Sequence, residues 1–321
     1  MPPHRNIVWC GTLQLAWSRL GKDVLHQPPQ VHGAEAVVAR LNQAQLGEDD
    51  LPTDSCLATA GFAKDGIVEK IKSEMTRRFH KQIEIDAMRP NEILAYAYLE
   101  ASAAFTIPFF DKREPLRFRG SGGQETEVGA FGIEEKHEYA YWTMREQIGV
   151  LYLLRKKTNP EELEEFVVDL CRESSPNQIV VACVPRKATL AETLDDAEKK
   201  TREAARQTHA GHQQEFGIRD VLLVPNLNWE LRHRFVELEG SDKRFLNAGF
   251  RGYHIQQAMQ TIRFKLDRSG AELASESKTY CLPMATHFVC DRPFPIVAKK
   301  RGAERPFFVM WVDNAELLCK P

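Results

Sequence analysis

Few residues of this 321-residue chain stand in arrangements that do chemistry by themselves. His209 and His212, with Glu215 three residues on, have metal-ligand spacing at the end of a helix, but no third strong ligand accompanies them. The run Gly120-Ser121-Gly122-Gly123 has the composition of a phosphate-binding turn. It sits between two strand-like runs, with no helix and no Lys-Ser/Thr after it, so a hairpin turn is expected. There is no GxSxG motif, and the 45 Asp and Glu offer no pair that reads as acid and base. Seven cysteines, Cys10, Cys56, Cys171, Cys183, Cys281, Cys290 and Cys319, occur singly and without CxxC. An odd, scattered set argues against a disulfide framework or zinc ribbon and for reduced thiols in a cytoplasmic protein. We therefore expect no metal, no cofactor and no enzymatic activity.

The elements around these residues read as mixed α and β. Residues 6–9 form a buried strand leading into a short helix, 13–20. Apolar positions recur at helical spacing over 34–45 (Ala34, Val37, Val38, Leu41) and 66–79 (Ile67, Val68, Ile71, Met75). Residues 93–105, ILAYAYLEASAAF, fit a buried strand and an Ala-rich helix equally well. A hairpin is expected over 109–133, and strands over 149–154, 165–170, 178–184 and 221–225. Residues 190–207 carry acidic side chains early and basic ones late, the charge order of a helix. No repeat or Pro/Gly-rich linker divides the chain, so residues 1–321 are expected to be one α+β domain with several antiparallel strands. A net charge of −2 gives no electrostatic case for nucleic acid. The N-terminus, MPPHRNIVWCG, lacks the apolar core of a secretion signal, and no apolar run reaches the ~20 residues that span a bilayer.

The C-terminal stretch QTIRFKLDRSGAELASESKTYCLPMATHFVCDRPFPIVAKKRGAERPFFVMWVDN is the most informative. It orders a strand (261–266), a glycine, small and charged residues, a Leu-Pro-Met triplet, Asp-Arg-Pro-Phe, and two strand-rich runs (295–299 and 306–312) joined by a Lys-Lys-Arg-Gly-Ala turn. This order resembles the C-terminal quarter of the serpins. Upstream, NIVWCGTLQLAWSRLG, ILAYAYLEASAAFTIPFF, MREQIGVLYLL, FVVDLCRESSPNQIVVACVP and VLLVPNLNW follow in the family's order. The chain resembles a divergent, shortened serpin of the prokaryotic type, without the long first helix and some middle helices. The resemblance implies an α+β fold with a large mixed central sheet, smaller antiparallel sheets and surrounding helices. It also implies a bait loop, residues 270–290, presented to a serine or cysteine protease, with a protease or another protein as partner.

On this resemblance Gly270 is the loop hinge. Strand alternation from it sets Ala271, Leu273, Ser275, Ser277, Thr279 and Cys281 on one face, and the mostly charged Glu272, Ala274, Glu276, Lys278 and Tyr280 on the other. A segment entering a sheet needs that division, because one face meets the core. Leu273 and Glu276 stand where the family prefers small residues. Counting forward from Gly270 puts the scissile bond after Met284, and counting back from Arg292-Pro293 puts it near Leu282. Leu282, Pro283, Met284 and Ala285 bracket it, and an apolar residue there suits a subtilisin-, chymotrypsin- or elastase-like protease. In the region where the sheet parts, Cys10 and Gly11 replace the family's Ser-Pro, Gln260 a His, Phe105 a Trp and Ala97 an Asn. Two functions follow: a protease inhibitor or protease-sensing protein, and alternatively a non-inhibitory binding or regulatory protein cleaved without covalent trapping.

Overall fold

Aromatic and β-branched side chains are common in the runs that pair as strands. The computed structural model describes residues 1–43, 46–102, 105–134, 142–172, 174, 176–207, 214–269 and 285–321. Its largest sheet has seven strands, all antiparallel: β1 (Ile7–Cys10), β19 (Phe308–Val312), β18 (Phe294–Lys300), β11 (Asn177–Cys183), β10 (Leu163–Asp169), β9 (Gly149–Arg155) and β12 (Gln214–Glu215). The C-terminal hairpin β18–β19 lies inside it, and Phe294, Ile296, Phe307, Phe308, Met310 and Trp311 are all buried.

A second, mixed sheet runs β14 (Leu227–Arg234), β16 (Ile255–Leu266), β4 (Ile93–Ser102), β3 (Cys56–Phe62). The outer pairs are antiparallel and the central pair, β16 with β4, is parallel. A third sheet orders β17 (His287–Val289), β13 (Val221–Pro225), β8 (Ala130–Ile133) and β5 (Phe110–Asp111). Two small pairs complete the strands: β6 (Leu116–Arg119) with β7 (Glu125–Val128), and β2 (Val31–His32) with β15 (Arg244–Phe245). This is the expected α+β class. The antiparallel sheet has more strands, seven against four, while the mixed sheet has the longer central ones, 12 and 10 residues.

Helices cover both faces of the mixed sheet. Behind it, α1 (Thr12–Arg19) joins Leu13, Leu15 and Ala16 to Cys56, Ala58, Ala97 and Leu99. In front, α3 (Ile67–Phe79) packs Ile67, Ile71 and Met75 on Leu57, Leu94, Tyr96 and Tyr98. Residues 93–99 are therefore apolar on both faces, which erases the alternation that marks a half-exposed strand. After Leu20 the chain makes a π-helical turn, Leu20–Leu25, closed by His26 at φ 54°. Helices α2 (Glu35–Asn42), α4 (Trp142–Glu146) and α5 (Leu190–Gln207) complete the set. Among the described residues no helix is long and apolar enough to cross a membrane.

The expected hairpin over 109–133 divides in two. The turn closes β6 on β7, with Leu116 opposite Val128 and Arg119 opposite Glu125. At Gly129 the chain departs to the third sheet: Gly129 N donates to Cys319 O, and Gly129 O accepts from Asn226 N. Helix α5 and strand β13 have the bounds read from the sequence. The strand expected at 261–266 begins earlier, at Ile255.

Candidate functional site

The parallel pair β4–β16 divides the mixed sheet into two antiparallel halves. Its register runs from Ile255 opposite Ile93 to Lys265 opposite Ser102, with one irregularity before Gln257. Parallel ladders have slanted hydrogen bonds and are slightly weaker per residue than antiparallel ones. Half-way along this seam, Gln260 faces Ala97. The Gln260 side chain is buried, and its Nε2 donates to Cys10 O at 3.2 Å and to Thr12 Oγ1 at 2.9 Å. Cys10 Sγ and Thr12 Oγ1 are 3.2 Å apart, and Gly11 N donates to Phe307 O at 2.9 Å. The junction between β1 and α1 is thus fastened under the seam. Burial pushes the Cys10 thiol up to about 11, against the opposing effect of its hydrogen bond with Thr12. A Cβ at Gly11 would run into Leu46 Cδ2, so Leu46 must shift to admit a side chain there.

Three expected residues, Cys10, Gly11 and Gln260, therefore meet. Thr12 completes the cluster and escaped the sequence reading, because a hydroxyl at a helix start is ordinary. Phe105 does not join them. It lies eight residues beyond Ala97 in sequence, past the end of β4. There its ring centroid is 4.7 Å from Phe109 and 5.9 Å from Phe131. Its role is at the seam's far end, where Phe105 N donates to Ser269 O and Phe109 N to Arg268 O, holding the chain just before residue 270.

The other end of the loop is also fastened. Thr286 N donates to Asp220 Oδ1 at 2.8 Å, Val221 N to Thr286 O at 2.9 Å, and Arg155 Nη2 to Thr286 Oγ1 at 2.9 Å. Asp220 Oδ2 accepts from Gly217 N at 2.8 Å. The buried Arg145 guanidinium donates to Gly217 O and Asp220 O, 5.5 Å from the Phe216 ring centroid. Asp220 and Arg145 gave no motif in the sequence, because the partners that tie them to the loop end and to each other's segment, Thr286 N for Asp220 and Gly217 O and Asp220 O for Arg145, are backbone groups far along the chain. Ala285, from the expected scissile region, is buried at 4% exposure. Gly270, Ala271, Leu273, Ser275, Ser277, Leu282, Pro283 and Met284 lie outside the described residues, as do His209 and His212. Among the described residues no cluster of His, Cys, Asp and Glu has the makings of a metal site.

No protein-family model and no curated protein matches the sequence. Solved structures match over almost the whole chain. Native protease nexin-1 with heparin aligns at TM-score 0.56 and 10% identity, over 97% of this chain and 92% of its own. Serine protease inhibitor (serpin)-12 from Manduca sexta aligns at 0.57 and 10%, over 98% and 93%. A tumour-suppressing serpin aligns at 0.59 and 10%, over 97% and 93%. The chain has the serpin fold. At such identities the likeness is one of fold, and residue roles rest on the geometry above. Among the described residues of this serpin-fold chain, nothing lies between β4 and β16. Residues 267–286 connect the end of β16 to β17.

Proposed function

We propose that residues 270–290 serve as a protease bait and that the β4–β16 seam receives the part before the cut after cleavage. The observation that carries this reading is the seam itself. A segment that follows β16 and turns back runs antiparallel to both β16 and β4. Entering between them, it replaces one parallel ladder with two antiparallel ones. About ten added backbone hydrogen bonds, at a net ~0.5–1.5 kcal/mol each, supply on the order of 5–15 kcal/mol. The small and apolar face starting at Ala271 suits the core side of that position. Chemically, the protease's own serine or cysteine attacks the scissile carbonyl near residues 282–284. The peptide bond breaks, its nitrogen leaves as a new amino terminus, and the acyl-enzyme ester or thioester is carried off by the inserting strand. This chain supplies the substrate and the spring, and no catalytic group. Structures with the same fold that are named protease inhibitors, the Manduca sexta protein and mouse protein-Z dependent protease inhibitor, support this reading. Six described cysteines are free thiols, five of them buried, which suits a reducing, cytoplasmic compartment.

The test is incubation with a subtilisin-like protease. A covalent complex that survives denaturant, and a large rise in melting temperature after loop cleavage, support trapping. No complex with several serine and cysteine proteases, together with an unchanged melting temperature, overturns it. The second reading, cleavage or recognition by a partner without trapping, is favoured by the buried Gln260 fastening, which resists opening, and by Leu273 and Glu276 on the entering segment. A fast cut near residues 282–284 without complex or stabilisation identifies that case.

A further inference from the structure

The mixed sheet ends in two edges of opposite character. On one side, β14 carries Glu230, Arg232 and Arg234 on an exposed run, and charges on an edge strand repel strand addition. On the other, β3 reads Cys-Leu-Ala-Thr-Ala-Gly-Phe, with no charge and no proline. Its register with β4 runs unbroken from Cys56 opposite Leu99 to Phe62 opposite Ile93, so no bulge bends it away. Among the described residues no strand pairs with its outer side. An uncharged edge of this length is a template for another strand, yet six of its seven residues are buried, so the chain itself covers it.

Two arginines from the covering helices reach that edge. Arg19, the last residue of α1 on one face, donates from Nη1 to Ala58 O. Its Nε and Nη2 are held by Glu48 Oε1 at 3.0 and 2.8 Å. Arg78, near the end of α3 on the opposite face, donates from Nη2 to Cys56 O at 2.8 Å and also to Thr53 O. Glu74 lies 3.8 Å from its Nη1. Cys56 and Ala58 are two residues apart, so their carbonyls point the same way, outward from β4. These are acceptors that a further strand has to use.

We infer that Arg19 and Arg78 are paired guards of the β3 edge, and that the occupant they exclude is the β3 edge of a second copy. Two such edges pair antiparallel about a two-fold axis, where the same apolar strand meets itself without charge repulsion. A guanidinium on each acceptor satisfies the carbonyl and sets a cation in the path of the incoming backbone. The inference does not depend on the bait-loop reading, because it concerns the uncleaved protein and the opposite margin of the sheet.

The experiment compares the unmodified protein with Arg19→Met/Arg78→Met by light scattering over a hundredfold range of concentration, with near-UV circular dichroism confirming the fold. The unmodified protein is expected to stay monomeric, while the folded double variant doubles its mass as concentration rises. Adding Ala60→Pro to the double variant should return it to monomer. Ala60 N–H faces outward like the two carbonyls, so proline there removes a donor that an incoming strand needs and leaves the β3–β4 ladder intact. A folded double variant that stays monomeric at every concentration overturns the inference. So does association that Ala60→Pro leaves unchanged, since another surface then carries it. If the double variant does not fold, the same readings on Arg19→Met and Arg78→Met separately decide, with weaker association expected for each.

Discussion

Replacing Gln260 by leucine tests whether the seam is latched from beneath. The change removes both donations from Nε2, to Cys10 O and to Thr12 Oγ1. Both acceptors are buried, and a lost net hydrogen bond costs about 0.5–1.5 kcal/mol, so Gln260→Leu should cost about 1–3 kcal/mol. Thr12→Val is nearly isosteric and removes one of the same two bonds, together with the contact to Cys10 Sγ, at about 1 kcal/mol. The Gln260–Thr12 bond is counted in each single variant. The double variant should therefore fall short of the sum by about 0.5–1.5 kcal/mol. Urea unfolding of the four proteins, read as midpoint shifts at constant slope, gives this coupling directly. Amide exchange at Ala97, across the seam, should quicken in both single variants. Additivity within about 0.3–0.5 kcal/mol, with exchange at Ala97 unchanged, refutes the latch.

Alkali should weaken the fold from pH 9 upward. Burial raises both Cys10 and Cys171 from 9.0 to about 11, so between those values the folded state holds protons that the unfolded chain has released. The stability is whole below pH 9 and is lost as pH rises to 11, up to about 3 kcal/mol per thiol, and Cys10→Ala should flatten the slope of an unfolding series across that window. Gly11→Ala should cost about 1–3 kcal/mol through the clash with Leu46, and Leu46→Ala in the same chain should recover part of it in thermal melts. Asp220→Ala leaves Thr286 N and Gly217 N without their acceptor. We expect a loss of about 2–4 kcal/mol and faster proteolysis beside residue 285, with unchanged proteolysis counting against Asp220 as the loop's anchor.

Legibility in the sequence followed the range of each residue's partners. Helix α5 was readable to the residue because its charge order and its Thr189–Glu192 start are local, with Thr189 Oγ1 accepting from Glu192 N and Glu192 Oε2 from Thr189 N. Strand β4 was ambiguous because both its faces are covered, and β3 and β16, not its own pattern, make it a strand. The split at Gly129 was invisible, since Val128 to Ile133 reads as one apolar run and only Cys319 and Asn226 bend it. In the candidate site, Gln260 and Cys10 were found through an ordered likeness of segments. Thr12 was missed because a hydroxyl at a helix start is ordinary until its partner, 248 positions away in sequence, is seen beside it. Phe105 belongs to the same expected region, and its place at the far end of the seam, beside Ser269, comes from the fold and not from one-dimensional order.

The parallel seam also has a history in time. β4 is complete once residue 102 is made, whereas its neighbour β16 begins at Ile255, about 150 residues later. At roughly 5–20 residues per second, a ribosome takes roughly eight to thirty seconds to bridge that interval. For that time the nascent chain offers Ile-Leu-Ala-Tyr-Ala-Tyr-Leu with β3 on one side and nothing to pair on the other. The parallel ladder, slightly weaker per residue than its antiparallel neighbours, is thus also one that closes late in synthesis. A chain arriving late from another ribosome competes there with the protein's own residues 255–266, so the spacing of ribosomes along the message bears on how much of it folds correctly.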